Sequence, residues 1–292
     1  MTRPWRSLQY VPAHSDKHVA SARIQAADAV ILDLEDAVAG PLKGRARAGL
    51  VDALASVSRW GGDVLVRVNA EDDLLEGDVT AAVDAGAMGI VLPKADSPRA
   101  VEAAADLIAA AEAGAGRAAD TVVMMVLVES ARGVLAMPET LAASSRVVAV
   151  NLGNEDLAAD LGVEPCEAAL QFARQQMVVA AAANGVTPLG LIGAATRYDD
   201  LDAYEALARR SRTLGMTGST CIHPSQIAVL NAVFSPTEDE LRRAEAVLAA
   251  AQAGDGGAFG LNGVMIDLPA VRRAKTILER NDSLKRRVQP LI

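Results

Sequence analysis

Eight short apolar segments, separated by longer Ala-rich amphipathic stretches, constrain the fold of this 292-residue chain more than any other feature. The apolar segments cover residues 8–11, 29–32, 64–68, 89–92, 122–128, 147–152, 188–192 and 219–222. Helical periodicity is clear over residues 98–113, 167–183 and 201–214. Nearly continuous apolar strands that alternate with helices are typical of a parallel sheet covered on both faces. Eight such units predict an α/β fold of the (β/α)8 TIM barrel type rather than a six-stranded open sheet.

The pattern changes after residue 235. A charged helix over residues 238–253 leads to a Gly-rich break at 254–257, an apolar passage over 258–267 and a last helix opened by Pro269. We therefore predict a barrel over residues 1–235 and a small C-terminal helical appendage over residues 236–292. The appendage is expected to pack on its own barrel or on a neighbouring subunit.

Charge and composition exclude several functional classes. The chain has 28 Lys and Arg against 37 Asp and Glu, which gives a net charge of −9 and argues against broad binding to nucleic acid or to an anionic membrane. Its two cysteines form neither a disulfide framework nor a spaced zinc motif. No apolar run approaches the roughly 20 residues that span a bilayer. We expect a cytoplasmic protein.

Polar side chains follow the predicted strands at the end where TIM barrels carry their chemistry. These residues are Glu35 and Asp36 after the second strand, Arg67 at the third, Lys94 at the fourth, Glu129 at the fifth and Asp156 at the sixth. Single acidic residues in such places are often helix N-caps, and Lys94 is more typical of a solvated loop. Arg67 is different, because a guanidinium at a barrel mouth needs an anionic partner or ligand.

Glu129 and Asp156 are candidates to share one cation, because they end adjacent predicted strands. Two carboxylates that leave several coordination positions open suit Mg²⁺, which keeps waters and takes ligands from its substrate. No Cys or His cluster accompanies them, so a hard oxygen site is favoured over zinc. Mn²⁺ remains an alternative to Mg²⁺.

Taken together, these segments resemble the citrate lyase beta-subunit-like enzymes, the group that includes malyl-CoA and citramalyl-CoA lyases. The resemblance runs nearly end to end, and the order and spacing of its motifs make it specific. The motifs are RSL at residues 6–8, YVP at 10–12, AVILDLEDAV at 29–38, RVN at 67–69, LPK at 92–94, ESARG at 129–133, GNEDL at 153–157, CIHP at 221–224, FSP at 234–236 and GVMIDLP at 263–269.

The resemblance implies a barrel with a C-terminal lid, in homotrimers or hexamers, that acts on a CoA thioester and a small keto acid with Mg²⁺. It assigns the metal to Glu129 and Asp156, and the thioester oxygen and the acid to Arg67. Asp267 matches the acid/base aspartate that the lid of a neighbouring subunit delivers. Glu35 and Asp36 match acidic positions that orient Arg67. The positions that match CoA contacts or the CoA entrance are Tyr10, Lys17, Lys43 and Arg47.

The seventh strand departs from some of these lyases. It reads LGLIG at residues 189–193, without the aspartate found in some members, and this strand helps to shape the acyl pocket. The sequence therefore leaves the identity of the acid open. A difference of one methyl group in a pocket is worth only about 1–3 kcal/mol.

We predict a Mg²⁺-dependent carbon–carbon lyase that cleaves citramalyl-CoA to acetyl-CoA and pyruvate, or malyl-CoA to acetyl-CoA and glyoxylate. Four alternatives stay open. A malyl-CoA thioesterase would use the same site. A citrate lyase beta subunit would act on an acyl carrier protein, and a CoA-binding regulator would have a binding role only. A class II aldolase acting on free acids would share the barrel and the metal pair.

Overall fold

The computed structural model describes residues 4–193, 198–253 and 257–288 of the chain. The chain divides into two compact units, Met1–Phe234 and Ser235–Ile292. Residues 254–256, most of the Gly-rich break that the sequence predicts, lie outside the described residues. None of the helices within these ranges has the length and apolar character needed to cross a membrane.

The described part of the first unit contains eight parallel strands. These are β1 (Ser7–Pro12), β2 (Ala29–Asp33), β3 (Asp63–Arg67), β4 (Gly89–Leu92), β5 (Val123–Val128), β6 (Val147–Leu152), β7 (Thr187–Pro188) and β8 (Ser219–Cys221). They pair in the order β7-β6-β5-β4-β3-β2-β1-β8. Backbone hydrogen bonds join the two ends of this order, from Thr217 N to Pro188 O (3.0 Å) and from Gly190 N to Gly218 O (2.9 Å). The predicted (β/α)8 barrel is confirmed.

Helices connect the strands. They are α1 (Asp16–Val19), α2 (Lys43–Ala48), α3 (Leu50–Ser58), α4 (Asp72–Asp84), α5 (Pro98–Gly114), α6 (Ala131–Leu135), α7 (Met137–Ala142), α8 (Asn154–Leu161), α9 (Glu167–Asn184), α10 (Leu201–Leu214) and α11 (Ser225–Val233). The hydroxyl of Ser97 caps α5 by accepting from Ala100 N at 3.3 Å, and Pro98 fills its first turn. Left-handed glycines end α9 and α10. The predicted bounds of α5, α9 and α10 agree with the structure to within one residue.

β7 is shorter than the predicted segment over residues 188–192. The chain leaves the ladder because Gly190 adopts a φ of +129°, a conformation open to glycine but not to an extended strand of L residues. Residues 189–193 therefore form an irregular edge at the barrel mouth instead of a full strand.

The barrel interior is filled by apolar side chains that alternate along the strands with those facing the helices. The interior cluster consists of Trp5, Leu8, Ala29, Ile31, Leu65, Val91, Met125, Leu127, Ala149 and Leu189. A larger cluster lies between the strands and the surrounding helices. The interior is therefore a packed core and not a channel, so polar chemistry has room only at the ends of the strands.

The second unit contains two helices, α12 (Glu238–Ala253) and α13 (Leu268–Val288), with a two-stranded antiparallel hairpin between them in the chain. The hairpin pairs β9 (Phe259–Leu261) with β10 (Val264–Ile266). Asn262 and Gly263 form its turn with φ angles of +50° and +77°, as an Asn-Gly hairpin turn requires. The sequence predicts only an apolar passage here, although the Asn-Gly pair between apolar residues is a hairpin signal.

Candidate active site

A cavity of about 550 Å³ opens at the carboxyl ends of the strands in the first unit. Acidic side chains, one arginine and a few small polar groups line it alongside apolar residues. The lining includes Tyr10, Asp33, Asp36, Arg67, Glu129, Asn151, Glu155, Asp156 and Thr220. Most of the polar groups that follow the strands in sequence therefore meet in one space, as expected for a TIM barrel.

Arg67 is anchored by Asp33. The two residues are register partners on the adjacent strands β2 and β3. The guanidinium donates from Nε to Asp33 Oδ1 (2.8 Å) and from Nη2 to Asp33 Oδ2 (2.6 Å). This paired contact fixes the plane of the guanidinium and leaves Nη1 for other groups. The sequence predicts an anionic partner for Arg67, but which carboxylate fills that role depends on the cross-strand register.

Glu35, Asp36 and Tyr10 surround the rest of the Arg67 guanidinium. Nη1 lies 3.0 Å from Glu35 Oε2 and 3.3 Å from Asp36 Oδ2. The ring of Tyr10 lies against the guanidinium, whose central carbon is 4.9 Å from the ring centroid. Burial raises the pKa of Glu35, while Arg67 and Lys94 act in the opposite direction. Arg67 therefore sits in a cage that holds its position without closing the cavity.

Lys94 contributes more to the site than the solvated loop position that its sequence context suggests. Its side chain donates to Glu35 Oε1 (2.9 Å), and its backbone N–H donates to Glu129 Oε2 (3.0 Å). The residue has a φ of +52°, which is unusual outside glycine. In this backbone conformation the N–H of Lys94 points at Glu129. Lys94 therefore connects the carboxylates of Glu35 and Glu129. No sequence signal reveals this geometry.

Glu129 and Asp156 both face the cavity. Glu129 is only 7% exposed, and burial raises its pKa to about 7; the charges of Glu35 and Asp156 act in the same direction. A Cβ atom on Gly153 would lie 2.6 Å from Glu129 Cγ, so glycine is required for this side chain to pass. Asp156 is exposed in the first turn of α8. A nearby cation would stabilise this crowded pair of carboxylates.

The number of protein ligands limits the kind of metal that fits. Within the described ranges, no group of three or more His, Cys, Asp or Glu side chains could hold a metal ion together. Two carboxylates beside an open cavity suit a hard cation that completes its shell with water and substrate oxygens, as Mg²⁺ does. The residues present therefore fit Mg²⁺ better than they fit a metal ion that takes all of its ligands from the protein.

Asn151 and Thr220 form a polar floor below these charged groups. Asn151 Nδ2 donates to Thr220 Oγ1 at 3.3 Å. Asn151 pairs across the strands with Leu127 of β5, and Thr220 pairs with Leu8 of β1. Both leucines belong to the apolar interior. The two polar side chains thus mark the boundary between the barrel core and the cavity. No motif in the sequence points to either residue.

Lys43 and Arg47 lie one turn apart on α2, as predicted, but both have internal partners. Lys43 Nζ donates to Asn69 Oδ1, and Arg47 Nε donates to Asp78 Oδ1 at 2.6 Å. Asp78 is buried and also accepts from the backbone and side-chain nitrogens of Asn69 at 3.0 and 2.6 Å. The two cations therefore belong to a connected network rather than a solvated helix face.

Lys17 and Asp267 belong to different units of the chain. Lys17 is an exposed residue of α1 in the first unit. Asp267 belongs to the second unit, where its exposed side chain caps α13 by accepting from Ala270 N at 3.1 Å. Its neighbours Val264, Met265 and Leu268 are exposed apolar residues.

Comparison with known proteins decides the family. Residues 6–224 match the HpcH/HpaI aldolase/citrate lyase family, a stretch that includes the barrel and its cavity. The chain belongs to this family. The resemblance drawn from the motifs is confirmed.

Several members of the HpcH/HpaI family are similar over nearly their whole length. Citrate lyase subunit beta of Leuconostoc mesenteroides subsp. cremoris is 33% identical, with 94% of this chain and 92% of that protein covered. The L-malyl-CoA/beta-methylmalyl-CoA lyase of Rhodobacter capsulatus is 32% identical, with the same coverage of each chain. Both names denote carbon–carbon lyases, the class of enzyme that the sequence predicts.

A solved structure of a similar protein shows the same fold with ligands. It is protein CitE from Mycobacterium tuberculosis in complex with magnesium, acetoacetate and coenzyme A. The two chains are 31% identical, and the match covers 94% of this chain and 97% of the Mycobacterium tuberculosis protein. They superpose with a TM-score of 0.75.

Proposed function

We propose that this protein is a Mg²⁺-dependent carbon–carbon lyase for a 3-hydroxy-dicarboxylyl-CoA thioester. The substrate is citramalyl-CoA or malyl-CoA, and the products are acetyl-CoA and pyruvate or glyoxylate. The observation that carries the proposal is the convergence of Arg67 with Glu129 and Asp156 on one cavity. The lyase relatives and the magnesium complex of the Mycobacterium tuberculosis protein support it.

Negative charge develops at two places in the reaction, on the hydroxyl oxygen and on the thioester oxygen, and this cavity can stabilise both. The bond between the hydroxyl-bearing carbon and the carbon next to the thioester breaks, and the hydroxyl proton passes to solvent water in the open cavity. The bonding electrons enter the thioester as an enolate, and a keto acid remains. Glu129 and Asp156 would hold the Mg²⁺, which would supply Lewis-acid stabilisation of the carbonyl that forms.

Arg67 stabilises the negative charge that develops on the thioester oxygen. Because Asp33 fixes two of its nitrogens at 2.6–2.8 Å, the guanidinium is positioned before the substrate arrives. Glu35 and Asp36 lie within 3.0–3.3 Å of its third nitrogen and orient it from the other side. Lys94 neutralises Glu35 at 2.9 Å, which limits the repulsion between Glu35 and a carboxylate substrate.

Asp267 supplies the proton that the enolate carbon takes up. Its exposed carboxylate lies beside the exposed apolar side chains of the hairpin, which suits a group that enters the cavity of a neighbouring subunit. CoA would approach along Tyr10, Lys17, Lys43 and Arg47. Asn69 and Asp78 hold the last two cations in place, so the CoA phosphates would meet a preorganised charge.

The decisive experiment is a coupled assay with purified protein, Mg²⁺ and a panel of malyl-CoA, β-methylmalyl-CoA and citramalyl-CoA. We expect a keto acid without free CoA. Free CoA with a hydroxy acid would instead identify a thioesterase. Activity only with an acyl carrier protein would identify a citrate lyase beta subunit, and turnover of free acids an aldolase.

The metal site has a matched control in the neighbouring residue. Asp156→Asn is expected to weaken Mg²⁺ binding by about tenfold or more, because it removes one of two anionic protein ligands. Glu155→Gln removes the same charge from the same turn of α8 and should change affinity far less. Titration of Mg²⁺ by calorimetry distinguishes the two, and equal losses would refute the assignment of Asp156.

Delivery of Asp267 by a neighbouring subunit is tested by mixing two variants. Arg67→Ala and Asp267→Ala are each expected to be inactive. If both residues serve one site from different subunits, mixed oligomers of the two variants regain part of the activity. Mixtures that stay as inactive as the separate variants would place both residues in one chain's site.

A further inference from the structure

A second cavity in the first unit is formed by α9, α10 and Ile192. Its volume of about 300 Å³ lies at the lower end of the range for small-molecule sites. Three charged side chains line it, those of Glu167, Arg174 and Arg210, together with the apolar side chains of Ile192 and Leu214. The mechanism above uses none of these residues.

Arg174 is a cation without an anion in this cavity. It is 1% exposed, and its Nε is buried without a hydrogen-bond partner in the described part of the chain. Its other nitrogens donate to neutral oxygens, Nη1 to Glu167 O (3.4 Å) and Nη2 to Asn154 Oδ1 (3.1 Å). The carboxylate of Glu167 is paired with Arg210 instead. A buried guanidinium that meets only neutral acceptors is costly, and burial lowers the pKa of Arg174 to about 10.

The lining restricts the kind of ligand that fits. A guanidinium pairs best with a planar carboxylate, through two parallel hydrogen bonds. Ile192 and Leu214 offer apolar contact to a short carbon chain. The carboxylate of Glu167 repels a second negative charge. Together these features favour a small monocarboxylate over a dicarboxylate or a neutral molecule.

The second cavity shares a wall with the active site. Leu191 and Gly193 line the active-site cavity, and Ile192 between them lines the second one. Asn154 also lines the active-site cavity, where it accepts from Arg174 and donates from Nδ2 to Gly193 O at 3.4 Å. A carboxylate paired with Arg174 would compete with Asn154 Oδ1 for Nη2.

We propose that the second cavity binds a small monocarboxylate on Arg174, and that the bound anion inhibits the enzyme by loosening Asn154. The binding site stands independently of the proposed lyase function, whereas the inhibition rests on it. Two separate measurements therefore test the two parts.

Binding is tested by titrating propionate into the metal-free protein and following saturation-transfer NMR. We expect saturable binding of propionate and none of propionamide, its neutral counterpart of the same shape, at matched ionic strength. Arg174→Met should abolish binding, whereas Arg209→Met, a change at a largely exposed side chain of α10, should retain it. No binding to the wild type, binding retained in Arg174→Met, or binding lost in Arg67→Ala would overturn the inference.

Glu167→Gln tests the site without changing Arg174. The substitution removes the negative charge from the cavity and releases Arg210 from its ion pair. Propionate should bind about two- to fivefold more tightly, the size of one partly exposed charge interaction. Thermal unfolding verifies that each variant folds. Unchanged or weaker binding in Glu167→Gln would contradict the proposed position of the anion.

Inhibition is tested in the lyase assay with Mg²⁺ and the thioester that the enzyme cleaves. Propionate should lower kcat by up to about tenfold and leave KM unchanged, because it acts outside the substrate's cavity. Arg174→Met should be insensitive to propionate. A rise in KM alone would indicate competition in the active site and overturn the inhibition. The absence of turnover with every thioester would overturn the lyase function and the inhibition together, while the propionate titration still decides the binding site.

Discussion

The guanidinium of Arg67 is held by both carboxylate oxygens of Asp33, its register partner on the adjacent strand. Asp33 also accepts hydrogen bonds from the backbone nitrogens of Glu35 (2.9 Å) and Ala37 (3.2 Å), so one buried carboxylate shapes the turn and anchors the arginine. The consequence is a cation that faces the cavity in a single orientation. Such preorganisation is worth most when charge develops during the reaction.

Weakening this anchor should reduce catalysis more than stability. We expect Asp33→Asn to lower kcat by about 10² because the guanidinium loses its paired contact, as in the removal of other preorganised charge-stabilising groups. Arg67→Lys should show a comparable loss, since an ammonium cannot make the paired contact. Steady-state kinetics together with thermal unfolding measure the effect. Full activity in either variant would show that the orientation of this cation is unimportant.

Gly153 is expected to control the proposed metal site through the position of Glu129. In Gly153→Ala the new methyl would lie 2.6 Å from Glu129 Cγ and 2.8 Å from Oε1, so the carboxylate must move. We predict that Mg²⁺ binding, measured by calorimetry, weakens by about 10- to 100-fold, as for other changes that misplace a ligand. Gly114→Ala is the control, because no atom lies within 4 Å of its added methyl. Unchanged affinity in Gly153→Ala would count against Glu129 as a ligand.

The buried pair of Glu112 and Arg146 should make stability depend on acid pH. Arg146 Nη2 lies 2.7 Å from Glu112 Oε2, and Glu112 is 1% exposed. Burial alone would raise the pKa of Glu112, but hydrogen bonds from Arg146, Val122 N–H and Thr121 outweigh it and lower the pKa to about 2. The ionised carboxylate therefore stabilises the fold above its ordinary pKa of 4.5, and this contribution disappears as the pH falls towards 2.

Glu112→Gln tests this dependence by urea unfolding at several pH values. At pH 7 the variant should lose about 3–5 kcal/mol of unfolding free energy, because Arg146 is left buried without its main partner. The difference from the wild type should shrink between pH 4.5 and pH 2, where the wild-type carboxyl also becomes neutral. Glu102→Gln, an exposed change on the same helix, is the control. A difference that stays constant with pH would contradict the prediction.

Arg174 offers a case in which activity and stability should separate. It is 1% exposed, and within the described ranges no carboxylate lies at ion-pair distance from it. Its Nη2 donates to Asn154 Oδ1 (3.1 Å), a residue that lines the cavity two positions before Asp156. Burial without a counter-charge lowers the pKa of Arg174 to about 10.

We expect Arg174→Met to leave the unfolding free energy unchanged or increased, because an apolar side chain of similar size avoids the cost of the buried charge. The kcat should fall by about tenfold, since Asn154 is no longer held near Asp156 in the cavity. Urea unfolding and steady-state kinetics on the same preparation measure both. A destabilised variant with normal turnover would reverse this assignment.

Several features of the fold could be predicted from the sequence because they depend on local composition. The strands follow from short, nearly continuous apolar segments, and α5, α9 and α10 from helical periodicity bounded by Ser97, Gly185 and Gly215. Placing Arg67, Glu129 and Asp156 at one mouth required only the rule that parallel strands end on the same face of a barrel. The hairpin at Asn262 and Gly263 was missed although its signal was present.

Other parts of the site depend on distances between segments far apart in the chain. Lys94 lies 59 residues from Glu35, and its contact requires a left-handed backbone that its Leu-Pro-Lys context does not announce. Lys43 and Arg47 match CoA-binding positions in the motif comparison, yet their partners Asn69 and Asp78 come from the next βα unit. The assignment of CoA contacts to these residues stays a prediction.

The sequence by itself determined the barrel, the family and the set of polar groups at the strand ends, because strand period, helix period and motif order are properties of short segments. Only the tertiary structure decided which of those groups touch. The pairing of Asp33 with Arg67 follows from strand register, the position of Glu129 from the space beside Gly153, and the exposed oxygen of Asn151 from the backbone at Gly190. Each depends on packing between strands, where a shift of one residue would turn the side chain to the opposite face.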